Sequence, residues 1–375
     1  MKRLKKTALK MLALVLSTVL VYPFAIPAVS AQDYSMKENM ARTHAWMEQA
    51  MYGKEPVPED TITYEQLIIM VCEAFDIKPG SCFANSITNR LVQVQTSASF
   101  SDTYESDLEK RGYLKTALDF GLLIPTDYFD NQLLPFRPAA RSDAVTLITR
   151  GLGLVYPAGL DLTNGEIPFA DWETIPDWQK GYASVLKQEG VLLDEYARLG
   201  DVITLGELAE LLCRAYDEMT EGVDTEIRLV LQRKLYIPEK SKKEIINVPT
   251  EIQMPIQIVD NVVYVPARPM YWLYDHSHGY WTADNQCCRV SYGLGFFVIN
   301  YVAGYNGFKK DYEEYNGLYD TRFRTRLLYG ETMVPVLDLN TGEDYKQTDY
   351  VYEAFYDAEN KIVTVYMAEP PSHTS

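Results

Sequence analysis

Arg141 combines a residue type and a sequence setting that suit the binding of an anion. It stands at the start of an apolar run, followed by Ser142 and Asp143 and preceded by Phe136 and Pro138. An arginine beside a helix N-terminus presents a planar fork of donors to a carboxylate, and the first N–H groups of the helix add more. The alternative is a solvated surface arginine, and the sequence leaves both interpretations open.

Few other residues have spacings that indicate chemistry. The sequence contains no Ser/His/Asp motif, no HExxH motif and no phosphate-binding loop. Asp275, His276 and His278 are close enough to invite a metal ion, but surface histidines are the favoured interpretation. Carboxylates are too numerous for any pair to stand out as a glycosidase site. We therefore predict no catalytic residues, no metal site and no cofactor.

Two segments have the spacing of a capping box, which would begin helices able to position such residues. Thr63 is followed three residues later by Gln66, and Thr204 is followed three residues later by Glu207. The apolar residues that follow recur at helical spacing. They are Leu67, Met70, Val71, Ala74 and Phe75 in the first segment, and Leu208, Leu211, Leu212 and Ala215 in the last.

The segment that contains Arg141 is predicted to be a third helix of the same kind. Ala140 has no capping side chain, so Ser142 is predicted to cap this helix instead. Gly151 stands where a glycine would end it.

A second pattern recurs upstream of the last two helix starts. Phe100 and Asp102 form a Phe-x-Asp motif that returns as Phe169 and Asp171, at an offset of 69 residues. Each motif begins a helical segment that ends in a glycine and three apolar residues. A fixed period of this size predicts stacked helical units, each too small to bury a core alone.

These patterns resemble the S-layer homology (SLH) domains of bacterial surface proteins. The SLH repeat has Phe-x-Asp, a Trp/Ala helix, a Gly, Phe-x-Pro, and Thr-Arg-Ala-Glu at the start of a second helix. The middle copy matches at Phe100, Asp102, Phe136, Pro138, Arg141 and Asp143. The third copy matches at Phe169, Asp171, Trp178, Ala183, Gly190, Thr204 and Glu207. The first copy matches at Thr63 and the helix that follows.

The resemblance implies an all-α bundle of three repeats over residues 32–220. The repeats would cover about 40–80, 100–155 and 169–220, and the bundle would bind secondary cell-wall polysaccharide, which is often pyruvylated.

Four residues are implied to contact the polysaccharide: Arg141, Ser142, Asp143 and Trp178. For Trp178, packing in the core is the favoured interpretation and stacking on a sugar is the alternative. The arginine position of the motif holds Tyr64 and Leu205 in the other two copies, so one pocket is expected in place of three.

The second half of the chain has a different composition. Residues 221–247 are predicted to be a linker, after which β-formers and tyrosines increase. Residues 248–370 resemble the small domain named after the N-terminal domain of copper amine oxidases, which has no metal site of its own. The matches are Val265, Pro266, Ala267, Arg268, Trp281 and Asp284 in one half, and Val334, Pro335 and Asp357 in the other. We expect an α+β, β-rich domain with an internal repeat.

The first 31 residues have the pattern of a secretory signal peptide: five positive charges, an apolar run and small residues before a cut after Ala31. A retained membrane anchor is the alternative. Cleavage would change the formal net charge from −17 to −22. This acidity disfavours nucleic acid and anionic lipid as partners.

The five cysteines are too few and too scattered for a disulfide framework, and none forms a CxxC pair. Cys72 and Cys82 are close enough in sequence to form a bridge.

The sequence therefore predicts a multidomain, secreted, non-enzymatic bacterial surface protein. SLH-like repeats would hold it non-covalently on a Gram-positive cell wall, and the C-terminal module would bind or assemble, with other surface proteins as further partners. No membrane contact is expected after signal cleavage. One alternative is a wall-remodelling enzyme with an unrecognised active site in the C-terminal domain. Another is a released or envelope-assembly factor in which the repeats are only a scaffold.

Overall fold

The protein is mixed α+β, with its helices before most of its strands. The computed structural model describes residues 35–77, 79, 100–154, 169–237, 242–248, 255–267, 278–282, 287–292, 297–302, 308–310, 326–344 and 352–367. Residues 34–375 form one compact unit. The predicted signal peptide, residues 1–31, lies outside the described residues. Among the described helices, none has the length and apolar character needed to cross a bilayer.

Seven α-helices are described. They are α1 (Met36–Met51), α2 (Tyr64–Ala74), α3 (Asp107–Lys110), α4 (Tyr113–Phe120), α5 (Arg141–Gly151), α6 (Asp177–Gln188) and α7 (Leu205–Thr220). Helices α2, α5 and α7, here called the central helices, pack on one another. Helix α1 packs on α2 and α7, α4 packs on α2, and α6 packs on α5. The apolar positions predicted from periodicity are buried in this core.

Both predicted capping boxes are present. The Thr63 hydroxyl accepts from the Gln66 N–H at 3.3 Å, and the Gln66 side chain accepts from the Thr63 N–H at 2.9 Å. Thr204 and Glu207 exchange the same two bonds, at 3.3 and 3.1 Å. These bonds form between residues three apart, so the sequence alone determines them.

The predicted cap of α5 is wrong. Ala140 occupies the N-cap position, and the Asp143 carboxylate accepts its N–H at 2.7 Å. Ser142 lies inside the helix, and its N–H donates to the Leu199 carbonyl at 3.0 Å. The tertiary contact with the loop before α7 therefore replaces a local side-chain cap.

Gly151 does not cap the C-terminus of α5 as predicted. It is the last helical residue, and Gly153 is the glycine with left-handed backbone (φ 69°). A Cβ at Gly151 would lie 2.6 Å from the ring of Phe75. The glycine therefore permits close packing of α5 against the end of α2.

The segments before the central helices form a closed ring of backbone bridges. Thr61 bridges Thr204, Thr63 bridges Pro138, and Ala140 bridges Val202. The first N–H of each central helix continues the ring. Tyr64 donates to Arg137 at 2.9 Å, Arg141 donates to Asp201 at 2.8 Å, and Leu205 donates to Asp60 at 2.8 Å. Each central helix is thus fixed at its N-terminus by the loop before another central helix.

Fourteen strands are described. They are β1 (Val223–Asp224), β2 (Arg228–Ile237), β3 (Lys242–Val248), β4 (Ile256–Val259), β5 (Val262–Pro266), β6 (His278–Thr282), β7 (Cys287–Tyr292), β8 (Phe297–Val302), β9 (Phe308–Lys310), β10 (Arg326–Leu328), β11 (Glu331–Asp338), β12 (Glu343–Asp344), β13 (Tyr352–Asp357) and β14 (Ile362–Met367). They form sheets of order β1-β4-β5-β11-β10 (with β12 on β11), β13-β14-β2-β3 and β6-β7-β8-β9. Among the described pairings, β14 with β2 is parallel and the others are antiparallel.

The two Val-Pro motifs lie side by side at the centre of the first sheet. Val265 pairs with Val334, and Pro335 lies opposite Tyr264. The register shifts just after Pro335, as expected beside a residue that has no N–H to donate. Of the other residues in this resemblance, Trp281 lies in β6, while Arg268 and Asp284 lie outside the described residues.

The segment 221–247, which the composition predicts to be a linker, contains strands β1 and β2 and most of β3. Helix α7 leads into β1 almost directly, and the Ile258 N–H donates to the Gly222 carbonyl at 2.8 Å. Ile245 and Asn247 are exposed on β3. Polar and charged residues are common on such edge strands, which explains why the composition resembles that of a linker.

The helices and the first sheet share one hydrophobic core. Val259, Val262, Leu327 and Met333 belong to the same buried cluster as the helices. Arg326 on β10 also donates to the Glu218 carbonyl of α7 at 2.7 Å. The helical and β-rich parts are therefore joined by burial as well as by the chain.

Candidate functional site

Arg141 lies inside the protein, at the first position of α5. Its residue exposure is 2%, and its guanidinium makes an ion pair with Asp194 and lies 3.6 Å from Glu207. Its Nε donates to the Ala197 carbonyl at 3.0 Å. We call Arg141, Asp194, Ala197, Arg198 and Glu207 the Arg141 junction. The side chain that the sequence suggested for an anion instead connects α5 to the loop before α7.

The N–H groups at the start of α5 have partners within the protein. Arg141 donates to the Asp201 carbonyl at 2.8 Å, and Ser142 donates to the Leu199 carbonyl at 3.0 Å. The anion site expected at this helix end therefore has its donors occupied by the loop before α7.

Arg198 is the accessible cation of the Arg141 junction. Its side chain is 44% exposed, and it donates to Glu207 at 2.7 Å and lies 3.9 Å from Asp201. Hydrogen bonding to Glu207 raises the pKa of Arg198. Within the Arg141 junction, the Arg198 guanidinium therefore remains partly accessible to solvent.

The charged groups of the Arg141 junction shift one another's pKa values. Burial lowers the pKa of Arg141, and the carboxylates of Asp194 and Glu207 oppose that effect. Burial acts to raise the pKa of Glu207, but the Thr204 N–H, Arg198 and Arg141 outweigh it, so the pKa is lowered. Glu207 therefore serves both as a helix cap and as a counter-ion.

A different set of side chains occupies the equivalent place between α2 and the loop before α5. Tyr64 is the first residue of α2, as Arg141 is of α5, and its hydroxyl hydrogen-bonds that of Tyr128 at 2.6 Å. The guanidinium of Arg137 lies 4.1 Å from the centre of the Tyr64 ring and makes two bonds to Asp143, at 2.6 and 2.8 Å. We call Tyr64, Tyr128, Arg137 and Asp143 the Tyr64 junction.

The third junction contains no such ionic contact among the described residues. Leu205 begins α7 and is fully buried. The Gly206 N–H donates to the Pro58 carbonyl at 2.9 Å, and a Cβ at Gly206 would lie 2.8 Å from the Met36 sulfur. The junction is therefore closed by apolar contact.

The two Phe-x-Asp motifs have the same structural role. Asp102 accepts the N–H groups of Leu133 and Leu134 at 3.0 and 2.8 Å. Asp171 accepts those of Ala197 and Arg198, both at 2.9 Å. Each aspartate thus fixes the loop that precedes a central helix.

Trp178 is on the surface of α6, with 65% of the residue exposed. The favoured expectation that it packs in the core is wrong. Within the described residues, no hydrogen bond, ion pair or ring contact joins it to Arg141, Ser142 or Asp143. Trp178 is therefore exposed on α6, whereas Arg141 is buried at the start of α5.

The chain matches no model of a known protein family and no curated protein.

The sequence did not single out Arg137, Arg198 or Tyr128. Arg137 and Arg198 each lie a few residues before a helix start, and each pairs with the acidic residue at the third helical position. The sequence signal that could have identified Arg137 and Arg198 is an arginine a few residues before an acidic residue at the third position of a helix.

The described residues contain no cluster of histidine, cysteine and acidic side chains able to hold a metal ion. Asp275 and His276 lie outside the described residues, as does Cys82. Cys72 and Cys213 are buried thiols without a disulfide partner. Burial raises the pKa of both, to about 11 for Cys213, so neither has the character of a reactive thiolate.

Proposed function

We propose that this protein is a secreted, non-enzymatic bacterial surface protein held on the cell wall by its helical part. Residues 35–220 would form a bundle of three SLH-like repeats that binds an acidic secondary polysaccharide. The β-rich part would bind or assemble with other surface components.

The observation that carries this proposal is the ring of equivalent contacts at the three central helices. The second helical N–H repeats the pattern of the first: Glu65 donates to Pro135, Ser142 to Leu199 and Gly206 to Pro58, at 2.9, 3.0 and 2.9 Å. Three helices that begin with the same pair of bonds are the arrangement expected of repeats that close on one another.

The outer helices support the same interpretation. Tyr113 on α4 hydrogen-bonds Glu73, the tenth residue of α2. Tyr182 on α6 hydrogen-bonds Arg150, the tenth residue of α5, at 3.0 Å. The two tyrosines are also 69 residues apart in the sequence, which is the offset between the two Phe-x-Asp motifs.

Arg198 is the residue we propose to meet the carboxylate of an acidic sugar. It has an exposed guanidinium, and its neighbour Arg141 is buried beneath Asp194 and Glu207. In this proposal Arg141, Ser142 and Asp143 support the surface, while Trp178 is a separate exposed ring for stacking. The chain after signal cleavage would carry a net charge of −22, so the attraction to an acidic polymer must be local.

The test is co-sedimentation of residues 32–375 with cell walls of the producing strain, before and after extraction of the secondary polymer. The whole mature chain is used because the helices share a core with the first sheet. We expect binding that depends on the polymer and is about tenfold weaker in Arg198→Ala, since a charged hydrogen bond contributes about 1.5–3 kcal/mol.

Arg228→Ala is the matched control, because Arg228 is an exposed arginine on β2. Failure of the wild-type chain to sediment with walls would reject the proposed function. Equal binding by Arg198→Ala and wild type would reject only the assignment of the site. Trp178→Ala, measured in parallel, tests the stacking contact.

A further inference from the structure

The second sheet, of order β13-β14-β2-β3, has one buried face and one exposed face. Side chains alternate between the two faces along each strand. Ala354, Val363, Val365 and Leu231 are buried in a cluster that the second sheet shares with the first. The residues between them on β13, β14 and β2 are exposed or half-buried, and they make up the opposite face, here called the outer face.

The strand register shows that the residues of the outer face lie side by side. Phe355-Thr364-Val230 forms its middle row, in the order β13, β14, β2, with Asp357-Ile362-Arg228 on one side. The row on the other side is Glu353-Tyr366-Gln232. Neighbouring strands are about 4.8 Å apart, so the three rows form one continuous surface.

The charges of the outer face lie on opposite sides of β14. Glu353 and Asp357 are exposed on β13, and Phe355 between them is 58% exposed. Arg228 is exposed on β2, and Val230 follows it on the same face. The outer face is therefore acidic on one side of β14 and carries a cation on the other, with apolar side chains between these charges.

This pattern is complementary to itself under a twofold rotation. Two copies packed face to face, with the rotation axis along β14, would place β13 of each copy over β2 of the other. Each Asp357 would then face Arg228 of the second copy, and each Phe355 would face Val230. An axis across the strands would instead bring Glu353 opposite Asp357, and like charges opposite each other are unfavourable.

We propose that the outer face is a homodimer interface, in which two copies of this chain pack their second sheets together about a twofold axis along β14. Two ion pairs between Asp357 and Arg228 flank a centre in which Tyr366 meets the Tyr366 of the second copy. The inference rests on the register and the charges of the second sheet, so it does not depend on wall binding.

The size of the outer face sets the strength of this contact. Three strands of six paired residues cover about 300 Å². Ile245 and Asn247, exposed on β3, extend the face on one side. A standard interface buries about 800 Å² on each partner, so we expect a weak dimer that is populated at about 100 µM protein.

The test is sedimentation equilibrium of residues 32–375 over about 10 to 500 µM protein, with equal urea midpoints as the check on folding. Each substitution changes two symmetry-related contacts at once, so Phe355→Glu and Arg228→Asp should each weaken the dimer about 100-fold. Phe129→Glu is the matched control, because Phe129 is an exposed phenylalanine of the helical part. It should leave the dimer unchanged.

A mixture of two variants tests the register directly. Asp357→Arg alone should not form the dimer, because each Arg228 would face another cation. An equimolar mixture of Arg228→Asp and Asp357→Arg should associate about as tightly as wild type, since opposite charges then meet at both contacts. Asp357 also accepts the Asn360 N–H, so if Asp357→Arg fails the folding check, the Phe355 and Arg228 variants decide the question.

A wild-type chain that stays monomeric at about 500 µM would overturn the inference. So would a dimer that Phe355→Glu and Arg228→Asp leave intact, because another surface would then form it. Loss of the dimer in both folded charge variants without recovery in their mixture would overturn the twofold arrangement. None of these results affects the proposed function, since wall binding is measured below the concentration of the dimer, where Arg228→Ala remains a valid control.

Discussion

The Tyr64 and Arg141 junctions share a backbone arrangement but differ in their side chains. In both, the first two N–H groups of a central helix donate to the loop before another central helix. At the Arg141 junction a buried cation from α5 meets carboxylates of the neighbouring segment. At the Tyr64 junction the ion pair stays within one segment, between Arg137 and Asp143, and an aromatic side chain crosses the boundary.

This difference separates the parts of the junction that build the fold from those that can diverge. The backbone bonds occur at all three central helices, including the apolar junction of Leu205. The charged side chains differ from one junction to the next. The scaffold is therefore defined by main-chain contacts, and ionic contacts are variable additions to it.

The largest expected effect is at the buried cation. Arg141→Leu should lower the free energy of unfolding by about 3 kcal/mol, because Asp194, Glu207 and the Ala197 carbonyl lose their common partner. Arg137→Leu, at a more exposed pair, should lower it by about 1 kcal/mol. Urea denaturation of residues 32–375 measures both. Equal losses of stability in Arg141→Leu and Arg137→Leu would contradict the expectation that the more buried cation contributes more.

A smaller loss of stability, equal at the two loops, is expected when the aspartate of either Phe-x-Asp motif is replaced. Asp102→Asn and Asp171→Asn should each lower the free energy of unfolding by about 1.5 kcal/mol, because an amide has one acceptor for two backbone donors. The measurement is again urea denaturation, with Asp201→Asn as an exposed control. A difference above about 1 kcal/mol between the two variants would contradict their equivalence.

Removal of one hydroxyl tests the Tyr64 junction. Tyr64→Phe should lower the free energy of unfolding by about 1 kcal/mol, since it removes the bond to Tyr128 and keeps the stacked ring. Tyr104→Phe, at an exposed tyrosine, serves as the control. An unchanged midpoint in Tyr64→Phe would mean that the ring alone supports this junction.

The smallest effects should appear as opposite pH dependences. Glu207 has a lowered pKa, so its contribution to the free energy of unfolding is complete above about pH 4.5 and is lost as the pH falls through its folded pKa.

Tyr64 and Tyr128 have raised pKa values, about 12 for Tyr128. Their contribution to the free energy of unfolding is therefore complete below about pH 10 and declines above it. Stability profiles of Glu207→Gln and Tyr64→Phe should flatten the acid and alkaline limbs respectively. An unchanged acid limb in Glu207→Gln, or an unchanged alkaline limb in Tyr64→Phe, would contradict these roles of the two residues.

The local features of the helical part were predictable. Thr63 with Gln66 and Thr204 with Glu207 form their capping boxes as the spacing indicates. The turn between β13 and β14 is local in the same way, with Asp357 accepting the Asn360 N–H at 3.0 Å. Contacts between residues that are close in sequence depend little on the rest of the chain, so sequence patterns can predict them.

The character of the candidate site was not predictable in the same way. Arg141 was open to two interpretations, a ligand contact or a solvated arginine, and it is a buried structural cation. Its partners Asp194 and Glu207 lie more than fifty residues away, and nothing in its own segment indicates which loop will cover it.

By itself, the sequence determined the starts of α2 and α7, the apolar faces and the change to β-formers in the second half, because these depend on local hydrogen bonds and periodic burial. Only the tertiary structure decided that Arg141 is covered, that Trp178 is exposed, and that residues 221–247 join a sheet. Each of these depends on which distant segment removes water from a side chain or pairs with a strand. That choice follows from the packing of the whole chain.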